Sequence, residues 1–249
     1  MAIQGGPDIV EDGLLFHVDA ADKNSYPGTG NTWYDLSGNG YNFTLVNSPL
    51  VAQERYFDFS TNEYAYLPLA NYTGTSLDRV AQSFSAEIVF QFAGTSSRKK
   101  FFGNGQYGNG GWNIGCGRDN FNRIEIGVYS NYNTCNPTEG VNCQYNRGNI
   151  GLDYSLNNTE FFHYLFTYSY VSQTSATSKL YVNGTLVSQV ITNKGGTTAA
   201  IAILAIGANT QGGWSSAFGN VGFARMYDRV LSTEEVEQNY KATKARFSL

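Results

Sequence analysis

Hydrophobic and polar residues alternate in several segments of this chain, and a period of two predicts β-strands. The segment 83–92, SFSAEIVFQF, has an apolar side chain at every even position and mostly polar side chains at the odd ones. Residues 123–128 repeat the alternation, and 56–59 and 64–67 are shorter versions of it. Antiparallel strands with one face on the core and one in water have this pattern, so we predict half-buried strands here.

Three further segments predict strands in other ways. Residues 162–168, FHYLFTY, place large side chains on both faces, which indicates either a central strand covered on both sides or an open aromatic surface. The apolar run 199–206 is too short to cross a bilayer and predicts a buried strand. Asn183-Gly184 stands between two β-prone runs and predicts a hairpin, because a type I′ turn needs positive φ at both central residues.

One helix is predicted after residue 231. Ser232 is placed as its N-cap, and Glu235 follows three residues later, which together form a capping box. Leu231 and Val236 stand at the positions of a hydrophobic staple. We expect Val236 and Tyr240 to face the core.

The composition supports one domain rich in turns. Charged residues make up 14% of the 249 residues, and Asn, Gly, Ser, Thr and Tyr take their place. The segments 103–117, 130–151 and 211–216 are rich in turn-forming residues and predict loops. No linker or internal repeat divides the chain, so we predict a single domain over residues 1–249, with a flexible N-terminus at 1–8.

Charge and targeting signals exclude several classes of function. The net charge is −4, and the longest basic run, at 98–100, is short. Duplex binding depends on many phosphate contacts, so we interpret this run as a solvated loop and expect no nucleic-acid binding. The first six residues lack the basic region and apolar core of a secretory signal, and we expect no membrane insertion.

The three cysteines leave two interpretations open. Cys135 and Cys143 flank a loop and could pair, which leaves Cys116 over, or all three are reduced thiols. None of them has CxxC spacing, so we expect no zinc site.

The ordered set of motifs resembles a known family. Residues 12–21 (DGLLFHVDAA), 25–30 (SYPGTG) and 32–40 (TWYDLSGNG) resemble the opening of laminin-G-like, concanavalin-A-like domains, in particular those of tailed-phage virion proteins and bacterial surface proteins. The segment 162–168, the Asn183-Gly184 hairpin, the strand 222–227 and the capped helix follow in the family's order. The resemblance covers roughly residues 8–245. It implies an all-β fold, a two-sheet antiparallel jelly-roll sandwich with one short C-terminal helix.

The chain departs from the family at two places. Phe161 and Phe162 stand where the family often has Trp before the central strand. The family often has an acidic residue in the strand after the last hairpin, and this chain has none at residues 222–224. Some relatives bind calcium through acidic loop residues, so calcium is the candidate cofactor, although no aligned cluster of Asp and Asn commits the sequence to it.

The resemblance implies a non-catalytic binding protein. The leading hypothesis is a virion structural or display protein, such as a decoration, fibre or tail-associated protein, made in the host cytoplasm and located in the virion. It would bind host-surface glycans or other virion proteins as a homo-oligomer or as part of a lattice. One alternative is a capsid or tail assembly protein that binds no sugar. Another is a bacterial carbohydrate-binding module located outside the cell or on its surface.

Aromatic residues in the loops rich in Asn and Gly are the candidate sugar-binding residues. Sugars present apolar C–H faces and hydroxyls, so a site for them combines an aromatic platform with amide hydrogen bonds. The candidates are Tyr107, Trp112, Tyr132, Tyr145 and Trp214, with Asn104 and Asn113 beside them. Each aromatic ring could instead pack beneath its loop.

We predict no catalytic residues. Retaining glycoside hydrolysis needs two carboxyl groups roughly 5 Å apart, but the strand 123–128 offers only Glu125, and Glu87 stands alone in the same way. We interpret both as surface residues of amphipathic strands. His17 and His163 lie within strand patterns and no nucleophile elbow is present, so both are predicted to have packed, structural roles.

Overall fold

Two antiparallel β-sheets and one helix form the described part of the protein. A computed structural model describes residues 7–59, 62–68, 77, 82–92, 100–104, 109–116, 124–131, 146–148, 160–172, 175–192, 203–208 and 219–249. The all-β sandwich expected from the sequence is confirmed.

Within these residues the structure has sixteen strands and one helix. In chain order they are β1 (Leu14–Asp19), β2 (Thr32–Trp33), β3 (Phe43–Val46), β4 (Leu50–Ala52), β5 (Tyr56–Phe59), β6 (Tyr64–Pro68), β7 (Phe84–Phe92), β8 (Lys100–Gly103), β9 (Asn109–Cys116), β10 (Ile124–Asn131), β11 (Asn146–Gly148), β12 (Phe162–Ser172), β13 (Ser175–Val182), β14 (Thr185–Thr192), β15 (Ile203–Ile206), β16 (Gly219–Tyr227) and the helix α1 (Thr233–Phe247).

The strand order joins the two ends of the chain in one sheet. Sheet A has the order β14-β13-β12-β7-β16-β5-β4, and sheet B has the order β11-β10-β9-β8-β15-β6-β3-β2. In sheet A, β7 pairs along the whole of β16, so β5 and β1 share the other side of that strand. The closing strand β16 therefore holds the N-terminal strand in place.

Aromatic rings fill the core between the two sheets. Trp33 packs edge-on against Phe57 with ring centroids 4.8 Å apart, and Phe90 stacks on Phe101 at 4.1 Å. All four side chains are buried. Such pairs add about 0.5–1.5 kcal/mol each beyond the area they bury, so the core also fixes the spacing of the sheets.

The outer face of sheet A is buried as well, because α1 lies across it. Val236 of the helix packs with Leu165 and Tyr181, and Phe247 packs with Val89 and Phe223. The burial of Val236 and the contact of Tyr240 with the hairpin at Gly184 confirm that both helix residues face the protein.

Because α1 lies on the outer face of sheet A, the interpretation of two strands changes. Residues 84–90 are buried on both faces, so the prediction of a half-buried strand is wrong for β7. The polar side chains at its odd positions face the helix and the residues before it instead of water. For residues 162–168, the alternative of a central strand covered on both sides is confirmed.

The local turn and cap signals are confirmed. Asn183 and Gly184 have φ values of 49° and 75°, and a β-carbon at Gly184 would lie 2.8 Å from Cδ1 of Tyr240, so the hairpin turn packs closely on α1. The Ser232 hydroxyl accepts from the N–H of Glu235, and the Glu235 carboxylate accepts from the N–H of Ser232. The helix has fifteen residues and is longer than the short helix predicted.

The prediction of a loop over residues 103–117 is wrong, because this segment contains β9. Trp112 and Ile114 point into the core with one residue between them. The glycines around them hide the period of two, since they add no polar side chain to mark the outer face.

Candidate ligand-binding cleft beside the C-terminal helix

The structure places one of the predicted aromatic sugar-binding residues, and it is buried. Trp112 is 1% exposed, and its ring packs against Phe84 and Phe102 with centroids 5.2 and 4.9 Å away. Trp112 is therefore part of the core and not an exposed platform. The other predicted aromatic residues lie outside the described residues, namely Tyr107, Tyr132, Tyr145 and Trp214.

The two predicted amide residues lie at the end of the β8–β9 pair. The N–H of Asn104 donates to the carbonyl of Trp112 at 3.0 Å, and its Oδ1 accepts from the N–H of Trp112 at 3.1 Å. Asn113 lies opposite Gly103, whose missing β-carbon lets the two strands approach closely. Both amides are buried. The structure therefore gives Asn104 a role in strand pairing, in place of the exposed position that we expected for a sugar ligand.

A different feature offers space for a ligand. A cleft of about 840 Å³ lies between residues 7–11, strand β1 and the C-terminal half of α1. Charged side chains of both signs line it. They are Asp8, Glu11 and Asp19 on one side and Lys241, Lys244 and Arg246 on the helix, with His17 and Arg225 between them.

An ion pair between buried Asp19 and partly buried Arg246 holds one wall of the cleft. Asp19 Oδ2 lies 2.7 Å from Arg246 Nη1, and Asp19 Oδ1 accepts from the N–H of Ala21 at 2.9 Å. Burial raises the pKa of Asp19, but the His17 imidazole and the Arg246 guanidinium outweigh it and hold that pKa at about 2. Burial and the nearby Arg225 lower the pKa of His17, so this imidazole is neutral at pH 7.

The same wall carries unused hydrogen-bonding capacity. Four buried nitrogen atoms have no hydrogen-bond partner within the part of the chain that the structure describes: His17 Nε2, Arg225 Nε, and Nε and Nη2 of Arg246. Buried polar atoms are normally paired, so this cluster is unusual for a purely structural surface. Its three guanidinium nitrogens carry N–H donors, and oxygen atoms are suitable acceptors for them.

Behind the cleft, the Glu87 carboxylate is the centre of a buried polar network. Its Oε1 accepts from Arg225 Nη1 at 2.8 Å and lies 2.9 Å from His163 Nε2, while its Oε2 accepts from Asn239 Nδ2 at 2.7 Å. Asn239 Oδ1 in turn accepts from the N–H of Val10 at 2.8 Å. The network thus joins three strands of the protein, its helix and its N-terminal segment.

The network gives Glu87 a structural role. Burial raises the pKa of Glu87, but Arg225, His163 and Asn239 outweigh it and hold that pKa at about 2. The interpretation of Glu87 as a surface residue is therefore wrong, because its strand faces the helix on that side. His163 is fully buried, which confirms its predicted packed role. The side chain of Glu125, the other candidate, lies outside the described residues.

We did not predict the cleft from the sequence, although signals for it exist. Arg225 interrupts the apolar strand VGFARMY, and Glu87 is the one charged residue of the segment 83–92. A charged residue in a buried strand needs a partner. If Glu87 had been paired with Arg225 on this ground, the buried polar network under the helix would have been predicted. The side chains that α1 contributes to the cleft would not have been.

The sequence places the chain in a family. Residues 59–237 match the family described as the concanavalin A-like lectin/glucanases superfamily, and this match spans more than half of the chain. The protein therefore belongs to that superfamily. A comparison with curated proteins finds no match.

Two kinds of solved structure share the fold. The receptor-binding domain of botulinum neurotoxin D is 14% identical, with a TM-score of 0.66 over 94% of this chain and 53% of that chain. Trypanosoma rangeli sialidase in complex with sialic acid is 12% identical, with a TM-score of 0.63 over 95% of this chain and 34% of that chain. This chain thus spans only part of each, and at these identities the likeness shows the fold alone.

The described residues show neither a cluster of metal ligands nor a membrane-spanning helix. They contain no group of three or more His, Cys, Asp or Glu side chains that could hold a metal ion, so calcium binding by the loops stays a prediction. In the same residues, no helix is both long enough and apolar enough to cross a membrane.

Substitution of Glu87 tests the buried network. Glu87→Gln keeps the shape of the side chain but leaves Arg225 without its counter-charge, so the free energy of unfolding should fall by about 3–5 kcal/mol. The control is Glu237→Gln, which removes a half-exposed ion pair with Lys241 and should cost less than about 1 kcal/mol. Chemical denaturation measures both. Equal losses in the two variants would contradict the network.

The depressed pKa values also predict how stability depends on pH. The contribution of Glu87 is fully present above its unfolded-state pKa of 4.5, and it is lost as the pH falls through about 2; for Asp19 the window begins at 3.8. Between pH 4.5 and 2, the unsubstituted protein should therefore lose stability more steeply than Glu87→Gln. Denaturation curves recorded at each pH measure the two slopes, and parallel curves would show that Glu87 is not paired in the fold.

Proposed function

We propose that this chain is a non-catalytic, glycan-binding domain and that the cleft beside α1 is its binding site. The observation that carries the proposal is the mixed lining of the cleft. Sugar hydroxyls both donate and accept hydrogen bonds, and the cleft offers carboxylate acceptors on one side and ammonium and guanidinium donors on the other. Concave sites with a few convergent polar groups are the usual places for small ligands.

Membership of a lectin-type superfamily supports the proposal. Among the proteins that share the fold, one is a sialidase in complex with sialic acid and another is the receptor-binding domain of a neurotoxin. One of them is complexed with a sugar and the other is a receptor-binding domain, so both raise the expectation of a binding role by analogy of fold. The choice of a glycan as ligand rests on this analogy together with the chemistry of the cleft.

The absence of catalysis is part of the proposal. The general acid of a glycosidase has a raised pKa, which keeps a proton available near neutral pH. Two buried carboxyl groups, that of Asp19 in the cleft and that of Glu87 behind it, have the opposite property, since their pKa values are about 2. Each is ionised and held by an arginine, which suits a structural role better than proton transfer.

We further propose that the protein is a structural or display component of a virion, where it binds host-surface glycans or neighbouring virion proteins. The support is the resemblance of residues 12–21 and 32–40 to the opening of virion domains of this family. Mass spectrometry of particles purified from the organism that encodes the chain should find it at a fixed copy number. If the chain is absent from particles and present on cell surfaces, it is a surface carbohydrate-binding module instead.

Substitution of the helix lysines tests the cleft. Lys241→Ala combined with Lys244→Ala removes two cationic donors, and the loss of charge-assisted hydrogen bonds should weaken glycan binding by about tenfold or more. The readout is binding to an array of bacterial envelope glycans, with and without calcium, followed by titration of the best ligand.

Lys179→Ala is the matched control, since Lys179 lies on β13 outside the cleft and should leave the affinity unchanged. No binding of the unsubstituted protein to any glycan would overturn the glycan function. Binding that the double variant does not weaken would move the site away from the cleft.

A further inference from the structure

Arg246, in the wall of the cleft, uses only one end of its guanidinium group. Its Nη1 lies 2.7 Å from Asp19 Oδ2, whereas its Nε and Nη2 have no hydrogen-bond partner within the part of the chain that the structure describes. Nε and Nη2 lie on the same edge of the planar group, and both carry N–H donors. A carboxylate fits such an edge, because each of its two oxygens accepts one hydrogen bond. The wall therefore contains an unused edge with two donors.

Arg229 shows the complete form of this pairing in the same protein. Its Nη1 and Nη2 donate to the two carboxylate oxygens of Glu235 at 2.8 and 2.6 Å, and its Nε lies 2.7 Å from Asp12 Oδ2. The side chains of Arg229 and Arg246 are 29% and 23% exposed, so their surroundings are comparable. Unpaired buried donors are rare in native proteins. The unpaired edge of Arg246 thus indicates a ligand that supplies oxygen atoms.

Aromatic rings hold the donors of this wall together. The Cζ atom of Arg246 lies 4.6 Å from the ring centroid of Phe247 and 5.8 Å from that of Phe223. The Cζ atom of Arg225 lies 4.0 Å from the centroid of the same Phe223 ring, and its Nε is also unpaired among the described residues. Guanidinium groups stack well on aromatic faces. Two arginines with spare donors are therefore gathered around one ring.

The opposite wall limits the negative charge that a ligand can carry. Asp8 and Glu11 line it, and neither forms an ion pair with another described residue. Carboxylates accept hydrogen bonds from hydroxyl groups, but they repel a like charge. A ligand with one carboxylate near Arg246 and hydroxyl groups toward Asp8 and Glu11 fits both walls. A phosphate carries up to about two negative charges, so it fits the acidic wall less well.

We propose that the ligand of the cleft is an acidic sugar, such as a uronic acid, and that the Nε–Nη2 edge of Arg246 binds its carboxylate. This inference rests on the proposed glycan function and names the class of sugar. Arg246 lies in the last turn of α1, and the ends of helices open at little cost in free energy. Because the edge is buried in the wall, ligand binding includes a small movement of this turn that directs the edge into the cleft.

Carboxyl reduction tests the class of sugar. Bacterial envelope glycans that contain uronic acids are compared with the same glycans after each carboxylate has been reduced to a hydroxymethyl group. The unsubstituted protein should bind the reduced forms about tenfold or more weakly, because charge-assisted hydrogen bonds are lost. Glycans that carry phosphate in place of carboxylate should bind no better than the reduced forms. Equal affinity for acidic and reduced glycans, or tightest binding of the phosphate set, would overturn the proposal.

Arg246→Lys tests the two-donor edge. The variant keeps a positive charge beside Asp19 but removes the edge, so it should lose the preference for acidic over reduced glycans. Arg229→Lys is the matched control, because it makes the same substitution at similar exposure outside the cleft, and it should keep the preference. A preference that persists in Arg246→Lys, or that both variants lose equally, contradicts the assignment. Circular dichroism of each variant checks that the fold is kept.

Nuclear magnetic resonance separates this inference from the glycan function. The side-chain Nε–H signal of Arg246, assigned by its absence in Arg246→Lys, should shift when glucuronate is added and stay in place when glucose is added. A shift with glucuronate in a protein that binds no glycan on the array keeps the carboxylate site and removes the glycan function. Binding of neutral glycans without a shift keeps the glycan function and removes the acidic sugar.

Discussion

The ionised carboxylate of Glu87 holds the third layer of this protein against the sandwich. A charge in the protein interior costs several kcal/mol unless it is paired and hydrogen-bonded. Glu87 meets that requirement only when Arg225 of β16, His163 of β12 and Asn239 of α1 are all in place. The helix cannot move away from the sheet without removing one of the partners, so the network selects one position of α1.

The position of α1 determines where open space remains on this side of sheet A. The helix covers the middle of the outer face of sheet A, and its hydrophobic contacts bury β7 and β12 on both sides. A flat aromatic surface on that face is therefore excluded. Open space remains where the C-terminal half of the helix meets β1 and the N-terminal segment, and Asp19 and Arg246 pair across that boundary at 2.7 Å. The cleft is thus a by-product of how the helix is held.

The features that could be predicted from the sequence are those whose causes are local. The Asn183-Gly184 turn, the Ser232 cap and the alternating strands each depend on a few adjacent residues, and the structure has all of them. Glu87 and Arg225 are 138 residues apart, and nothing near either one reports the other. The β9 strand was missed for a related reason: its outward positions are Gly and Asn, which suggest a turn until the pairing with β8 and β10 is known.

The same argument explains why Trp112 is part of the core and not an exposed platform. Aromatic residues near Asn and Gly suggest a sugar platform, but Trp112 is drawn into the core by the area it buries. Burial of an unpaired charged side chain costs several kcal/mol, so such a side chain stays near the surface or forms an ion pair. In a chain with few charges, the charged residues that gather in one place therefore indicate a site better than the aromatic residues do. Eight residues with charged or imidazole side chains line the cleft beside α1.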